Sequence, residues 1–300
     1  MEHRLRFKDV IDIAAPGTWA ASVMPSVLAT VISYQRTGSL RIDMMVCLFI
    51  IAILMQSSVN ALNDYADFIK GTDTLDNSHD ASDAVIVYGL RPETARNLGI
   101  AFLVSAFVPG IYTVIKCGIV PLVIGIIGAL VIVGYSYGKN PISYLPLGEF
   151  VSGFVMGGLI PLAGVYMQTD RLDHMVLVLS LPVIIGIGMI MFSNNSCDIE
   201  KDLPVGRRTL ACMLGRGRTE ICYRTMLLIW VATPVILFAV MGRYLSMLVY
   251  ILESTVFLNG IIRQATVPLN EKFRGAVMGG ITNLGIAVEF AYFAAMLISG

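Results

Sequence analysis

Two short stretches of this 300-residue chain concentrate the side chains that could do chemistry. The first reads Asn60-Ala61-Leu62-Asn63-Asp64-Tyr65-Ala66-Asp67. The second reads Asn194-Asn195-Ser196-Cys197-Asp198-Ile199-Glu200-Lys201-Asp202. Each places an asparagine four residues before an aspartate, and the two pairs stand 134 residues apart. If helices continue through both motifs, Asp64 and Asp67 share one face, and Asp198 and Asp202 share another. Like charges so spaced repel, and at the end of a membrane helix such a cluster calls for a cation to compensate it. Oxygen ligands without histidine favour a hard ion, and Mg2+ typically takes one or two carboxylates and completes its shell with substrate phosphates. The substrate this implies is phosphorylated.

Basic residues fit that reading. Lys201, Arg207 and Arg208 lie within or just after the second motif and can hold phosphate oxygens that the metal does not. Lys139, in Tyr135-Ser136-Tyr137-Gly138-Lys139-Asn140-Pro141, is a further candidate. Glu149 opens the next apolar run and is a further ionisable candidate.

The elements that must position these residues are membrane helices. Apolar residues make up 56% of the chain and charged ones 14%, against about 45–50% and 25% in soluble domains. A span needs roughly 20 apolar residues. Nine runs qualify, at 16–35, 44–62, 96–115, 118–137, 147–168, 175–194, 224–242, 245–262 and 276–298, and none alternates with the period of two that a membrane barrel requires. The expectation is an all-α, polytopic bundle forming one membrane-embedded domain over 1–300. The matching motifs suggest a repeat of four helices, 16–138 and 147–262, followed by a ninth helix.

With the N-terminus inside, the inner segments carry sixteen of the 21 Lys and Arg residues and the outer segments five. That asymmetry puts the N-terminus and both acidic motifs on the cytoplasmic face of the cell membrane and the C-terminus outside. The two long inner loops, 63–95 and 195–223, hold eleven of the 21 carboxylates, among them Asp73, Asp76, Asp80 and Asp83. Zero formal net charge gives no basic field for nucleic acid. Five scattered cysteines imply no disulfide framework. A diphosphate at the inner rim, joined to a greasy tail running into the bundle, describes a polyprenyl diphosphate.

The ordered motifs resemble the membrane aromatic prenyltransferases, the UbiA superfamily, and within it the branch that prenylates 1,4-dihydroxy-2-naphthoate in menaquinone biosynthesis. The resemblance covers most of the chain. It runs through Ala15-Pro16-Gly17-Thr18-Trp19 with Pro25, then Asn63-Asp64-Tyr65-Ala66-Asp67 with Lys70-Gly71-Thr72-Asp73. It continues through Tyr135-Ser136, Pro146-Leu147-Gly148-Glu149 and Gly164 to Thr169, and through the second motif with Gly206-Arg207-Arg208-Thr209-Leu210-Ala211. It implies Mg2+ held by Asp64, Asp67, Asp198 and Asp202, with Asp73 as a further ligand. It also implies Asn60, Asn63 and Asn194 beside the metal, Tyr135 and Glu149 near the substrates, and Lys139, Lys201, Arg207 and Arg208 on the diphosphate. The implied reaction joins a polyprenyl chain to an aromatic acid with loss of CO2. The chain departs from the family at Gly71, where a third carboxylate is often found, and at Cys197, where an arginine is usual.

Other signals point elsewhere. Gly134-x-Ser136-x-Gly138 matches a hydrolase elbow but ends an apolar helix rather than a strand, and His3, His79 and His174 have no nucleophile to serve. Gly153-x-x-x-Gly157 and Gly275-x-x-x-Gly279 read as close helix packing. Glu253 and Glu289 lie inside spans, either paired for structure or on a pathway. The rival functions are another aromatic acceptor, a terpene cyclase with the same metal site, and a secondary transporter. Transporter sites sit near the midplane rather than at one rim.

Overall fold

The computed structural model describes residues 5–72 and 89–298, and every regular element within them is helical. Helix α1 (Phe7–Ala14) turns through Pro16–Thr18 into α2 (Ala20–Thr37), at 59°. There follow α3 (Ile42–Lys70), α4 (Pro92–Cys117), α5 (Val120–Ser136) and α6 (Gly148–Thr169). The sixth apolar run is divided into α7 (Met175–Leu179) and α8 (Leu181–Cys197). Short helices α9 (Ile199–Asp202) and α10 (Leu210–Leu214) lead to α11 (Arg216–Val240). Helices α12 (Tyr244–Ser254) and α13 (Leu258–Thr266) meet at 64°, and α14 (Arg274–Ile298) closes the bundle.

Each of the nine apolar runs overlaps one of these helices or a pair of consecutive ones. Five helices are by themselves long and apolar enough to cross a membrane, or seven if each bent pair is one span. Helices α5 and α8, at 17 residues each, rise about 25 Å, less than a hydrocarbon core of about 30 Å. Outward faces are apolar: Ile100, Val104, Val108, Ile111 and Ile115 on α4 are exposed, as are Leu245, Leu248 and Leu252 on α12. Helices with satisfied backbones and apolar outer stripes suit hydrocarbon, not water.

Local chemistry sets the ends of the elements that carry the motifs. Prolines open α4, α5 and α8 within their first two residues, where the missing N–H costs nothing. Gly71 ends α3 with φ of +70°, a left-handed conformation that side-chain-bearing residues resist. The Thr72 N–H then returns to the Asp67 carbonyl at 2.9 Å.

Inside, α8, α11 and α14 pack around the fully buried Trp230, whose indole N–H donates to the Pro182 carbonyl at 2.8 Å. Helix α6 is π-helical from Gly153 to Leu159, and both glycines of its Gly-x-x-x-Gly motif lie against the α8 backbone at Ile184. The same spacing at Gly275 and Gly279 makes no such contact. A Cβ there would meet nothing within 4 Å, so the packing expected of that pair is absent, and α14 closes on its neighbours through other faces.

A Cβ at position 157 would sit 2.6 Å from the Ile184 Cα. Gly157→Ala therefore drives backbone from backbone and is expected to destabilise the protein by about 1–3 kcal/mol. Gly275→Ala should cause no loss. Thermal unfolding of the two variants in the same detergent checks the contrast, and equal midpoints would refute it.

Candidate active site

Helix α3 carries a gradient of polarity along one cavity. Leu48, Ile51, Ala52 and Met55 line the apolar part, and Gln56, Asn60, Asn63, Asp64 and Asp67 line the polar end. From Leu48 to Asp67 the helix rises about 28 Å. The cavity measures about 350 Å³, and α4, α5 and α6 complete its apolar walls with Leu103, Phe107, Ile132, Met156 and Ile160 among others. Across the polar end from α3 stand Asn194, Asn195, Asp198, Lys201, Arg207 and Arg274. The two motifs, 134 residues apart in sequence, thus face one cavity.

Their local geometries differ. Helix α3 runs unbroken through the first motif, so Asp64 and Asp67 do share a helical face. The second motif is not one continuous helix, because α8 ends at Cys197 and Asp198 caps the separate turn α9, where the Asp202 N–H returns to the Asp198 carbonyl at 2.8 Å. At the break, the Ser196 carbonyl accepts from Arg216, which also pairs with Glu200 and with the Leu269 carbonyl. The Arg216 hydrogen bond holds the Glu200 carboxyl below its ordinary range. Asp198 lines the cavity, whereas Asp202 is 1% exposed and lies behind Arg207.

All four aspartates are more than nine-tenths buried. Burial, and after it the Asp202 carboxylate, pushes the Asp198 carboxyl up to about 7, against the pull of Lys201 and Arg207. Arg207 lies 3.4 Å from Asp202 and 3.9 Å from Asp67, and its guanidinium stacks 5.3 Å from the centre of the Tyr144 ring. Burial works against its charge, but Asp67 and Asp202 outweigh that and raise its proton affinity above the ordinary value. Lys70 lies 4.6 Å from the Tyr144 ring and donates to the Ser136 carbonyl at 2.7 Å. Arg274 reaches Asp198 at 3.2 Å and donates to the Asn194 side-chain carbonyl at 2.7 Å.

The asparagines hold the frame. Asn63 donates to Asp67 at 2.7 Å and accepts from Ser136 at 3.3 Å. Asn60 accepts from Gln56 and donates to Thr18 and to the Ala14 carbonyl, which ties the α1–α2 turn over the polar end. Ser136, the would-be nucleophile of the hydrolase elbow, is thus a helix-end side chain bonded to an amide. Tyr135 lines the cavity. Glu149 is buried behind Asn195, which donates to it at 2.8 Å.

Several sequence candidates fall outside this arrangement. Lys139 and Arg208 are exposed and do not line the cavity, and Glu253 and Glu289 do not line it either. Asp73, Asp76, Asp80 and Asp83 lie outside the described residues. Conversely, Arg274, Gln56 and Asn195 belong to the site without having been singled out by sequence. Arg274 did carry a signal, since a cation in the first turn of a helix opposes the helix dipole unless a carboxylate is near.

Among the described residues, no three carboxylate, thiol or imidazole side chains form a preformed metal cluster. Asp64, Asp67 and Asp198 nevertheless offer only oxygen to the cavity, a donor set suited to a hard cation that brings phosphate oxygens with it. Four carboxylates (Asp64, Asp67, Asp198, Asp202) and four cations (Lys70, Lys201, Arg207, Arg274) meet at one end of an otherwise apolar chamber. The fold and the site together define a polytopic helical membrane protein with a charged anion-and-cation pole.

Residues 22–270 match the model of the UbiA prenyltransferase family, and the chain belongs to that family. It is similar to the 1,4-dihydroxy-2-naphthoate octaprenyltransferase of Bacillus subtilis (strain 168), with 32% identity over 205 residues. That match covers 68% of this chain and 65% of the relative, slightly under two thirds of its length. A UbiA prenyltransferase domain-containing protein 1 of Danio rerio is 27% identical over 235 residues, 76% of this chain and 67% of its own. Among solved structures, a UbiA homologue of Archaeoglobus fulgidus bound to GPP and Mg2+ shares the fold with a TM-score of 0.63. It is 18% identical, and the match covers 95% of this chain and 99% of that one.

Proposed function

We propose that this protein transfers a polyprenyl group from polyprenyl diphosphate to 1,4-dihydroxy-2-naphthoate, with Mg2+, releasing diphosphate and CO2 in menaquinone biosynthesis. The observation that carries this reading is the meeting of two oxygen-only aspartate motifs at the polar end of a cavity whose remaining walls are apolar. The named Bacillus subtilis relative supports the acceptor. The GPP and Mg2+ bound by the Archaeoglobus fulgidus homologue support the donor and the cofactor.

Asp64, Asp67 and Asp198 are the side chains that would hold Mg2+, with Asp202 bracing Arg207 behind them and Asp73 as a further ligand. When bound, the cation supplies charge that stabilises the departing diphosphate. Lys201, Arg207 and Arg274 hold diphosphate oxygens, and Asn60, Asn63 and Asn194 keep the carboxylates and Arg274 in place. The apolar walls receive the prenyl chain and exclude water from the allylic carbon once its C–O bond breaks, the electron pair leaving with diphosphate. The ring carbon bearing the carboxylate forms the new C–C bond, and the electrons of its bond to CO2 return to the ring. In the bilayer, nine spans in two four-helix halves plus one would place the N-terminus and this site on the cytoplasmic face.

Diphosphate release by the purified protein in lipid, with Mg2+ and a polyprenyl diphosphate, tests the proposal. Release that depends on 1,4-dihydroxy-2-naphthoate and is matched by CO2 supports it. Release without acceptor would indicate a cyclase, and release only with 4-hydroxybenzoate would indicate another acceptor class. No release with any of these would overturn the transferase reading.

A further inference from the structure

We propose that Asn195, oriented by Glu149, is the acceptor-recognition residue, and that its side-chain carbonyl accepts a hydrogen bond from a ring hydroxyl of the aromatic substrate. The inference rests on the transferase reading above and identifies the group that would select its second substrate.

Asn195 is 4% exposed, and what surface it keeps lies on the cavity. Its amide nitrogen donates to Glu149 Oε1 at 2.8 Å. Glu149 is 5% exposed, and its other oxygen, Oε2, is buried with no hydrogen-bond partner among the described residues. A carboxylate only accepts. The amide must therefore turn its NH2 group toward Glu149, which leaves Oδ1 to meet whatever occupies the chamber. Asn194 has no such freedom, because its carbonyl already accepts from Arg274.

The backbone fixes this geometry. Glu149 lies in the first turn of α6 and Asn195 in the last turn of α8. Gly153 and Gly157 hold those helices in direct backbone contact at Ile184. Tyr135 and Ser152 also line the cavity and give the subsite a polar flank.

The chemistry of the pair excludes the first substrate. A diphosphate at neutral pH offers only acceptor oxygens and a prenyl chain offers no hydrogen bond, so neither can satisfy the Asn195 carbonyl. A phenolic O–H is a donor and can. The hydrogen bond to Glu149 Oε1 fixes the direction of an amide that would otherwise present either end.

The test is steady-state kinetics in lipid with paired acceptors that carry a free or a methylated ring hydroxyl. One pair is 1,4-dihydroxy-2-naphthoate and its mono-O-methyl ethers, and the other is 4-hydroxybenzoate and 4-methoxybenzoate. Wild type should prefer the hydroxyl compound by on the order of 10- to 100-fold in kcat/KM. Asn195→Ala should abolish that preference and raise the acceptor KM about tenfold, with the KM for prenyl diphosphate changing less than about twofold. Glu149→Gln is the same size and stays informative if the alanine variant fails to fold. Its amide can either accept from Asn195 or donate to it, so Asn195 is no longer held one way round and the hydroxyl preference should fall severalfold, which a purely structural defect would not do. Wild-type preference in Glu149→Gln, or a selective rise in the KM for prenyl diphosphate, overturns the proposal while leaving the transferase reading intact. A wild-type protein inactive with every acceptor overturns both.

Discussion

Asp64→Ala and Asp198→Ala should each lower prenyl transfer by at least about a thousandfold, because each removes charge stabilisation that exists for the departing diphosphate. Both variants should still fold. The two carboxylates are buried at the cavity surface rather than in the packed core around Trp230, and removing one relieves repulsion among four carboxylates at one pole. The variants should nevertheless differ. Asp198→Ala removes the carboxylate that sits 3.2 Å from Arg274, and so lets more of that guanidinium's charge act on diphosphate. Its KM for prenyl diphosphate should stay near the wild-type value while kcat collapses. Asp64→Ala removes a carboxylate of the first motif, on the α3 side of the cavity, and should lose both substrate affinity and turnover. Transfer assays over a Mg2+ titration, with unfolding midpoints as the folding control, read these outcomes. Wild-type turnover by either variant at saturating Mg2+ would overturn the assignment of these aspartates.

Much of this pole was legible because polar residues inside apolar helices have few structural reasons to be there. Asn60, Asn63, Asp64 and Asp67 follow an apolar stretch on one helix, and the cavity follows the same order of polarity. The rest depends on tertiary packing. Lys139 and Arg208 lie close in sequence to the middle and second motifs, yet each ends on the exposed side of its turn. Arg274 begins a helix 76 residues beyond Asp198, and only the return of α14 beside α8 brings the two together. Adjacent asparagines on α8 point about 100° apart, so Asn194 meets Arg274 and Asn195 meets Glu149. No spacing rule separates those roles. The break at Asp198 was equally hidden, since the Arg216 that takes the Ser196 carbonyl comes from the next long helix.

Arg207→Ala should be nearly as damaging, for a reason the sequence alone does not distinguish from its neighbour. Arg207 lies between Asp67 of one motif and Asp202 of the other, and its side chain is 11% exposed. Removing one partner of a buried ion pair costs about 3–5 kcal/mol, because the carboxylates keep their desolvation and lose their counter-charge. It also removes a planar fork matched to phosphate oxygens, so kcat/KM should fall by on the order of 100- to 1,000-fold. Arg207→Lys keeps the charge but neither the fork nor the stacking on Tyr144, and should recover only part of the loss. Arg208→Ala supplies the contrast. Its side chain is exposed, and its contact with the site is a backbone N–H bonded to the Tyr144 carbonyl, which alanine preserves. Its turnover should stay within about threefold of wild type. Equal losses at 207 and 208 would mean that the whole basic loop, rather than one bridging guanidinium, holds the diphosphate, and retained activity in Arg207→Ala would remove the link between the two motifs.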